Sequence, residues 1–156
     1  MRYAPMPMGK WFVFVTFGVF AVAAIVLVGT TVQGGPDAPP AGFVVLWLGV
    51  LAWNAYWWLF RIVSELRLDG DYLWWSTPLR SGHIPLRDLV EIRPQRFATN
   101  VEVFKIRGAP SVVVLATKGL QEFTAEIAAR RPDLPIRFGW QARLAERMPG
   151  WSRLKR

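Results

Sequence analysis

Few side chains in this sequence are equipped for chemistry. His83, in RSGHIPL, is the one imidazole. As a general base it needs an orienting acid and a pocket, and its sequence neighbours supply neither. Asp69 and Asp71 flank Gly70, but two carboxylates fall short of a calcium shell; they read as turn residues. Cysteine is absent, which excludes disulfides, thiolate zinc sites, iron–sulfur clusters and thiol catalysis. No Walker loop, G-x-S-x-G, H-E-x-x-H or G-x-G-x-x-G is present. The expectation is a non-enzymatic protein with no catalytic residue, no metal site and no cofactor.

What remains is charge. The chain carries 19 Lys and Arg against 11 Asp and Glu, a net charge of +8. All but Arg2, Lys10 and Asp37 lie from Arg61 onward. The cations group as Arg93 with Arg96, Lys105 with Arg107, Arg130 with Arg131, and a tail holding Arg143, Arg147, Arg153, Lys155 and Arg156. In that tail Leu144, Met148, Trp151 and Leu154 recur near helical spacing, although Pro149-Gly150 interrupts any single helix. A basic amphipathic segment near a membrane lies on anionic lipid, each cation contributing ~1 kcal/mol. Arg93, Arg96, Arg130, Arg131, Arg143, Arg147, Trp151, Arg153, Lys155 and Arg156 are therefore the expected lipid or partner contacts. A solvated basic end is the alternative. No nucleic-acid reader motif is present, and binding to nucleic acid is not expected.

The elements that must hold these residues begin with two apolar runs. Between Lys10 and Asp37 lie 26 residues without a charge, and Trp11 to Val32 are predominantly apolar. A second uncharged run gives a span over about 41–60. A helix crosses the ~30 Å hydrocarbon core in about 20 residues, so a two-helix transmembrane hairpin is expected over 1–62. A cleavable signal peptide is the alternative for the first run, but its apolar stretch is long and no A-x-A site follows. The connection QGGPDAPPAG carries only Asp37, whereas Arg2, Lys10, Arg61 and Arg67 flank the other ends. The positive-inside rule then predicts a multi-pass protein of the cytoplasmic membrane with both termini cytoplasmic. Gly18, Ala21 and Ala24, and Gly49, Ala52 and Ala55, form small-residue ridges expected to pack the helices together. Asn54, the strongly polar side chain within the spans, is expected to bond across the pair. With no ionisable residue inside them, the spans do not make a pump or a proton relay.

From Glu65 the period becomes two. Glu65, Arg67 and Asp69 alternate with Leu66 and Leu68, and Asp69-Gly70 signals a hairpin. Six strands are predicted: 65–69, 72–76, 80–85, 89–93, 101–107 and 111–117, forming an antiparallel meander. Leu120, Phe123 and Ile127 then mark an amphipathic helix, with Ala128 on the stripe, Thr117 as its expected cap and Pro132 as its stop.

A hairpin of spans leading into ELRLDGDYLWW, then HIPLRDLVEIRP, then a β-pair and TKGLQEFTAEIAARRP resembles the bacterial pleckstrin-homology-like (bPH) membrane proteins. The likeness covers roughly 63–132 and rests on element order and the I-P-L-x-D-L-x-x-I strand entry. It implies a partly open antiparallel barrel capped by the C-terminal helix, over 63–140, followed by a basic amphipathic tail over 141–156. The fold ordinarily has seven strands, so a seventh hides in 95–100 or the barrel is incomplete. The phosphoinositide loop of eukaryotic pleckstrin domains corresponds here to the short, acidic Asp69-Gly70-Asp71, so that ligand does not carry over. The leading functional expectation is a membrane-anchored scaffold or accessory protein that assembles with a protein partner or a second copy of itself. The alternatives are a module that binds anionic phospholipid through its basic face and tail, and a non-catalytic subunit of a larger membrane complex.

Overall fold

The computed structural model describes residues 1–5, 9–36, 38–96, 100–147 and 153–155. Strand β1 (Arg2–Ala4) precedes two apolar helices, α1 (Gly9–Gln33) and α2 (Ala41–Tyr56). A π-helical turn, Trp57–Arg61, extends α2 into β2 (Ile62–Val63). Strands β3 (Glu65–Asp69), β4 (Tyr72–Ser76) and β5 (Ser81–Pro85) follow, and a 3-10 turn leads to β6 (Leu89–Pro94). Then come β7 (Val101–Ile106), β8 (Val112–Leu115), α3 (Leu120–Arg130), α4 (Trp140–Arg147) and β9 (Arg153–Lys155).

Both apolar helices are long enough to cross a bilayer. Trp11–Gln33 has 23 residues, and Ala41–Arg61, counting the π turn, has 21; at ~1.5 Å per residue each reaches about 30 Å. Almost none of their side chains is buried, as expected of surfaces that meet lipid rather than a protein core. The contact between them is not the expected one. Gly18, Ala21, Gly49 and Ala52 are exposed, Ala24 is half-buried, and Asn54, also exposed, lines the hollow between the helices, while Val13 and Val44 are buried and Phe20 meets Trp47 edge-on at 6.2 Å. A cavity of about 420 Å³ opens between them, lined by Phe17, Phe20, Trp47, Leu51 and Trp58 among others. Asn54 donates to the Val50 carbonyl of its own helix at 2.8 Å rather than across the pair.

The six predicted strands are all present, but they do not form one meander. They divide into a five-stranded sheet, β5-β4-β3-β1-β9, and a four-stranded sheet, β2-β8-β7-β6, and the barrel is not closed. The extra strands come from unexpected places. Gln95 instead turns back on Val101, whose carbonyl accepts its N–H at 2.9 Å, and residues 97–99 lie outside the described part of the loop. The added strands are β1, from ahead of the first span, β2, pairing parallel with β8, and β9, from the tail.

Alternation builds the core. Leu66 and Leu68 of β3 and Leu73 of β4 point inward, while Arg67, Asp69, Tyr72 and Trp74 point out. Tyr3, Leu89, Ile92, Phe104 and Val114 complete the layer, and α3 covers it with Leu120, Phe123 and Ile127. The hairpin turns at Gly70, whose φ of +55° is a conformation that glycine adopts without a Cβ clash. Helix α3 does not take Thr117 as its cap. Gly119, at φ 88°, holds the N-cap position, and its N–H donates to Glu146 Oε1 of α4 at 2.9 Å. Thr117 is engaged elsewhere, in a 2.7 Å hydroxyl pair with Tyr3.

Candidate functional site

The exposed chemistry of the β-domain gathers at β4 and β5. Alternation along YLWWS sends Tyr72 and Trp74 to the outer face, 48% and 44% exposed. The four-residue turn Thr77–Arg80 sets the register so that Trp74 lies opposite His83. Their rings stack at 4.5 Å with a 28° tilt, and Tyr72 approaches His83 at 6.0 Å. His83 thus lies against two aromatic rings of β4. Among the described residues no carboxylate bonds to it, and no three His, Asp or Glu side chains converge on a metal position. A shallow hollow of about 250 Å³ runs alongside, lined by Glu65, Arg67, Asp69, Trp74, Trp75, Ser76 and Ser81.

Strand β5 is also an edge, with no strand paired on its outer side among the described residues. Ladder parity identifies which backbone groups it offers. Leu68 exchanges both backbone groups with Met1, so Arg67 and Asp69 bond toward β4. Their partners Trp74 and Tyr72 bond back, and Leu73 and Trp75 bond to Ile84 and Gly82 of β5. Ser81 and His83 therefore turn their N–H and C=O groups away from the sheet. The other edges are guarded. Edge β9 has three residues and β2 two, and β6 is met by Ile136 in a parallel bridge to Ile92. Charges, shortness and cover are the ordinary means of blunting an edge. In β5, Ser81–Pro85, the terminal Pro85 is the one such device.

Three of the expected basic contacts are paired within the chain. Arg93 pairs with Glu91 at 3.3 Å, and Arg130 pairs with Glu126 at 2.9 Å while donating to the Gly70 carbonyl. Arg131 grips Asp133 through two bonds of 2.8 and 2.7 Å and donates to the Leu86 carbonyl. Bonding to Arg131 is the main reason the Asp133 carboxyl is held below its ordinary range. These arginines fasten α3 to the β3–β4 turn and to the corner after β5. Arg96, Arg143 and Arg147 are exposed. Trp151 and Arg156 lie outside the described residues. Arg153 and Lys155 belong to β9, which pairs with β1. Residues 140–147 likewise form a docked helix with Ala142 buried.

Two buried titratable groups went unforeseen. Tyr3 is fully buried, and its hydroxyl meets Thr117 and donates to the Leu115 carbonyl at 3.1 Å. Burial pushes its phenol up to about 12, against the lowering effect of the Thr117 bonds. Glu102 of β7 is also fully buried; Oε1 accepts the Gly139 N–H at 3.2 Å and Oε2 has no partner. Desolvation raises its carboxyl to about 7. Parity could have flagged Glu102, which shares the inward face of VEVFKI with Phe104 and Ile106. A three-residue strand such as β1 carries too little period to be read, and edge exposure is a property of the assembled sheet.

No protein-family model and no curated protein matches this chain.

Proposed function

We propose that this chain is a non-enzymatic, membrane-anchored pleckstrin-homology-like module that recruits a protein partner by strand addition at β5. The observation that carries this reading is the uncharged β5 edge, with the Ser81 and His83 backbone groups turned outward beside the Trp74–His83 stack. An extended peptide added there gains main-chain hydrogen bonds, and aromatic rings on the adjoining face supply side-chain selectivity. The anchor is the pair of apolar helices. Pairing of β1 with β3 brings the flank before α1 and the flank after α2 to one end, which suits an even number of crossings. Arg2, Arg61 and Arg67 belong to those flanks and Asp37 alone to the connecting loop, so the positive-inside rule assigns the β-domain to the cytoplasmic face of the inner membrane. The bPH likeness in element order adds to this reading, with β1 and β9 as departures from the simple family pattern.

The test is site-specific photo-crosslinking from Ser81 in intact cells. A discrete crosslinked protein is expected, lost in His83→Pro, which removes the outward N–H, and retained in Ser81 crosslinking of the Lys155→Ala control. Pro is tolerated at an edge because the ladder does not use that donor. Absence of a crosslink, or one indifferent to His83→Pro, refutes strand addition.

A further inference from the structure

Arg61 ends the π turn at the foot of α2, and its guanidinium lies over the Trp57 ring, 5.8 Å from the centroid. Arg2, Arg67, Arg93, Arg130 and Arg131 each pair with a carboxylate. Among the described residues Arg61 has no such partner, and the Trp57 ring positions its charge.

An open hollow of about 780 Å³ leads up from it, lined by Gly49, Ala52, Trp53, Tyr56 and Trp57. These residues form one stripe of α2, at the three- and four-residue spacing of a helix face. The floor is low, since a Cβ added at Gly49 would meet nothing within 4 Å. The walls are aromatic and mutually braced: Trp53 contacts Tyr56 at 6.4 Å and Trp57 at 6.1 Å, and Phe60 stacks on Tyr56 at 6.1 Å.

We propose that this stripe binds one anionic phospholipid molecule, with an acyl chain along Gly49 and Ala52 and the headgroup phosphate on Arg61. Three observations converge on that occupant. The hollow is apolar along the span and cationic only at its end, which matches the lengthwise polarity of a lipid. Arg61 terminates a helix of membrane-spanning length, the depth at which phosphates lie and at which Trp and Tyr settle. A helix from a second copy fits less well. The small-residue floor that would admit its backbone runs into Trp53 and Tyr56 within a turn, whereas a flexible acyl chain threads between such rings.

Native mass spectrometry of the full chain, released from micelles doped with phosphatidylglycerol or with phosphatidylcholine, tests this. The unaltered chain should retain phosphatidylglycerol preferentially. Arg61→Gln should lower that retention about fivefold, the loss of one cation–headgroup contact, and Arg61→Lys should preserve most of it. Gly49→Leu, which fills the floor, should also release the lipid. Equal retention of the two lipids, or unchanged phosphatidylglycerol in Arg61→Gln, overturns the proposal. So does a dimer that Gly49→Leu dissociates, because the stripe would then be an interface between copies. The β5 reading is untouched by any of these results.

Discussion

Replacing Glu102 with Gln should stabilise the fold at neutral and higher pH while leaving it nearly unchanged in acid. Glu102 stands on the inward face of β7, accepts one bond from Gly139 and leaves Oε2 unpaired. Desolvation lifts its carboxyl from 4.5 to about 7. In the unfolded chain the group ionises at its ordinary value, so between about pH 4.5 and 7 the folded state holds a proton that the unfolded state has lost. Stability is therefore greatest below that window, falls as pH rises through it, and levels off above about 7. At about 1.4 kcal/mol per pH unit the full span is worth ~3 kcal/mol. That figure is an upper bound, because a folded chain relaxes around a buried charge, and a discounted loss of about 1–2 kcal/mol is expected. Glutamine keeps the acceptor for Gly139 and carries no charge, so its curve should be flat across the window. Urea unfolding of the full chain in mild detergent, followed by circular dichroism from about pH 5 to about pH 8, reads this directly. Parallel pH profiles for the two proteins, or a glutamine variant that is the weaker at about pH 8, would refute the reasoning.

Two further outcomes follow from packing. Tyr3→Phe keeps the ring against Phe123 but strips the hydroxyl from Thr117 and Leu115; the buried groups left unpaired should cost about 1–3 kcal/mol, seen as a lower urea midpoint with the fold retained. An unchanged midpoint would mean that β1 is not docked in solution. Gly82→Ala puts a Cβ 2.7 Å from Cζ2 of Trp75; a rigid indole cannot yield as a flexible side-chain end can, and overpacking of this kind costs about 1–3 kcal/mol. The same unfolding assay checks it, and a neutral result would show that Trp75 has an alternative rotamer available.

By itself the sequence determined the elements: two apolar helices, because uncharged runs of that length have no other stable form in lipid, and six strands, because LRLD and YLWW alternate with a period of two. It also determined the absence of recognisable thiol, P-loop or zincin motifs. What it left open was everything that depends on pairing between distant segments. Arg2–Ala4 is too short to show a period, and becomes a strand only because β3 presents an open ladder for it. Arg153–Lys155 reads as a loose basic end, and is fixed only when β1 supplies the edge. The ridges at Gly18 and Gly49 allow close helix packing, but whether helices use them depends on the whole of the contact, where Phe20 meets Trp47. Whether β5 is covered, whether Glu102 is dry and whether Arg61 has a counter-charge are likewise properties of neighbours many residues away. Local spacing fixes which way a side chain points, and only the tertiary arrangement fixes what it meets there.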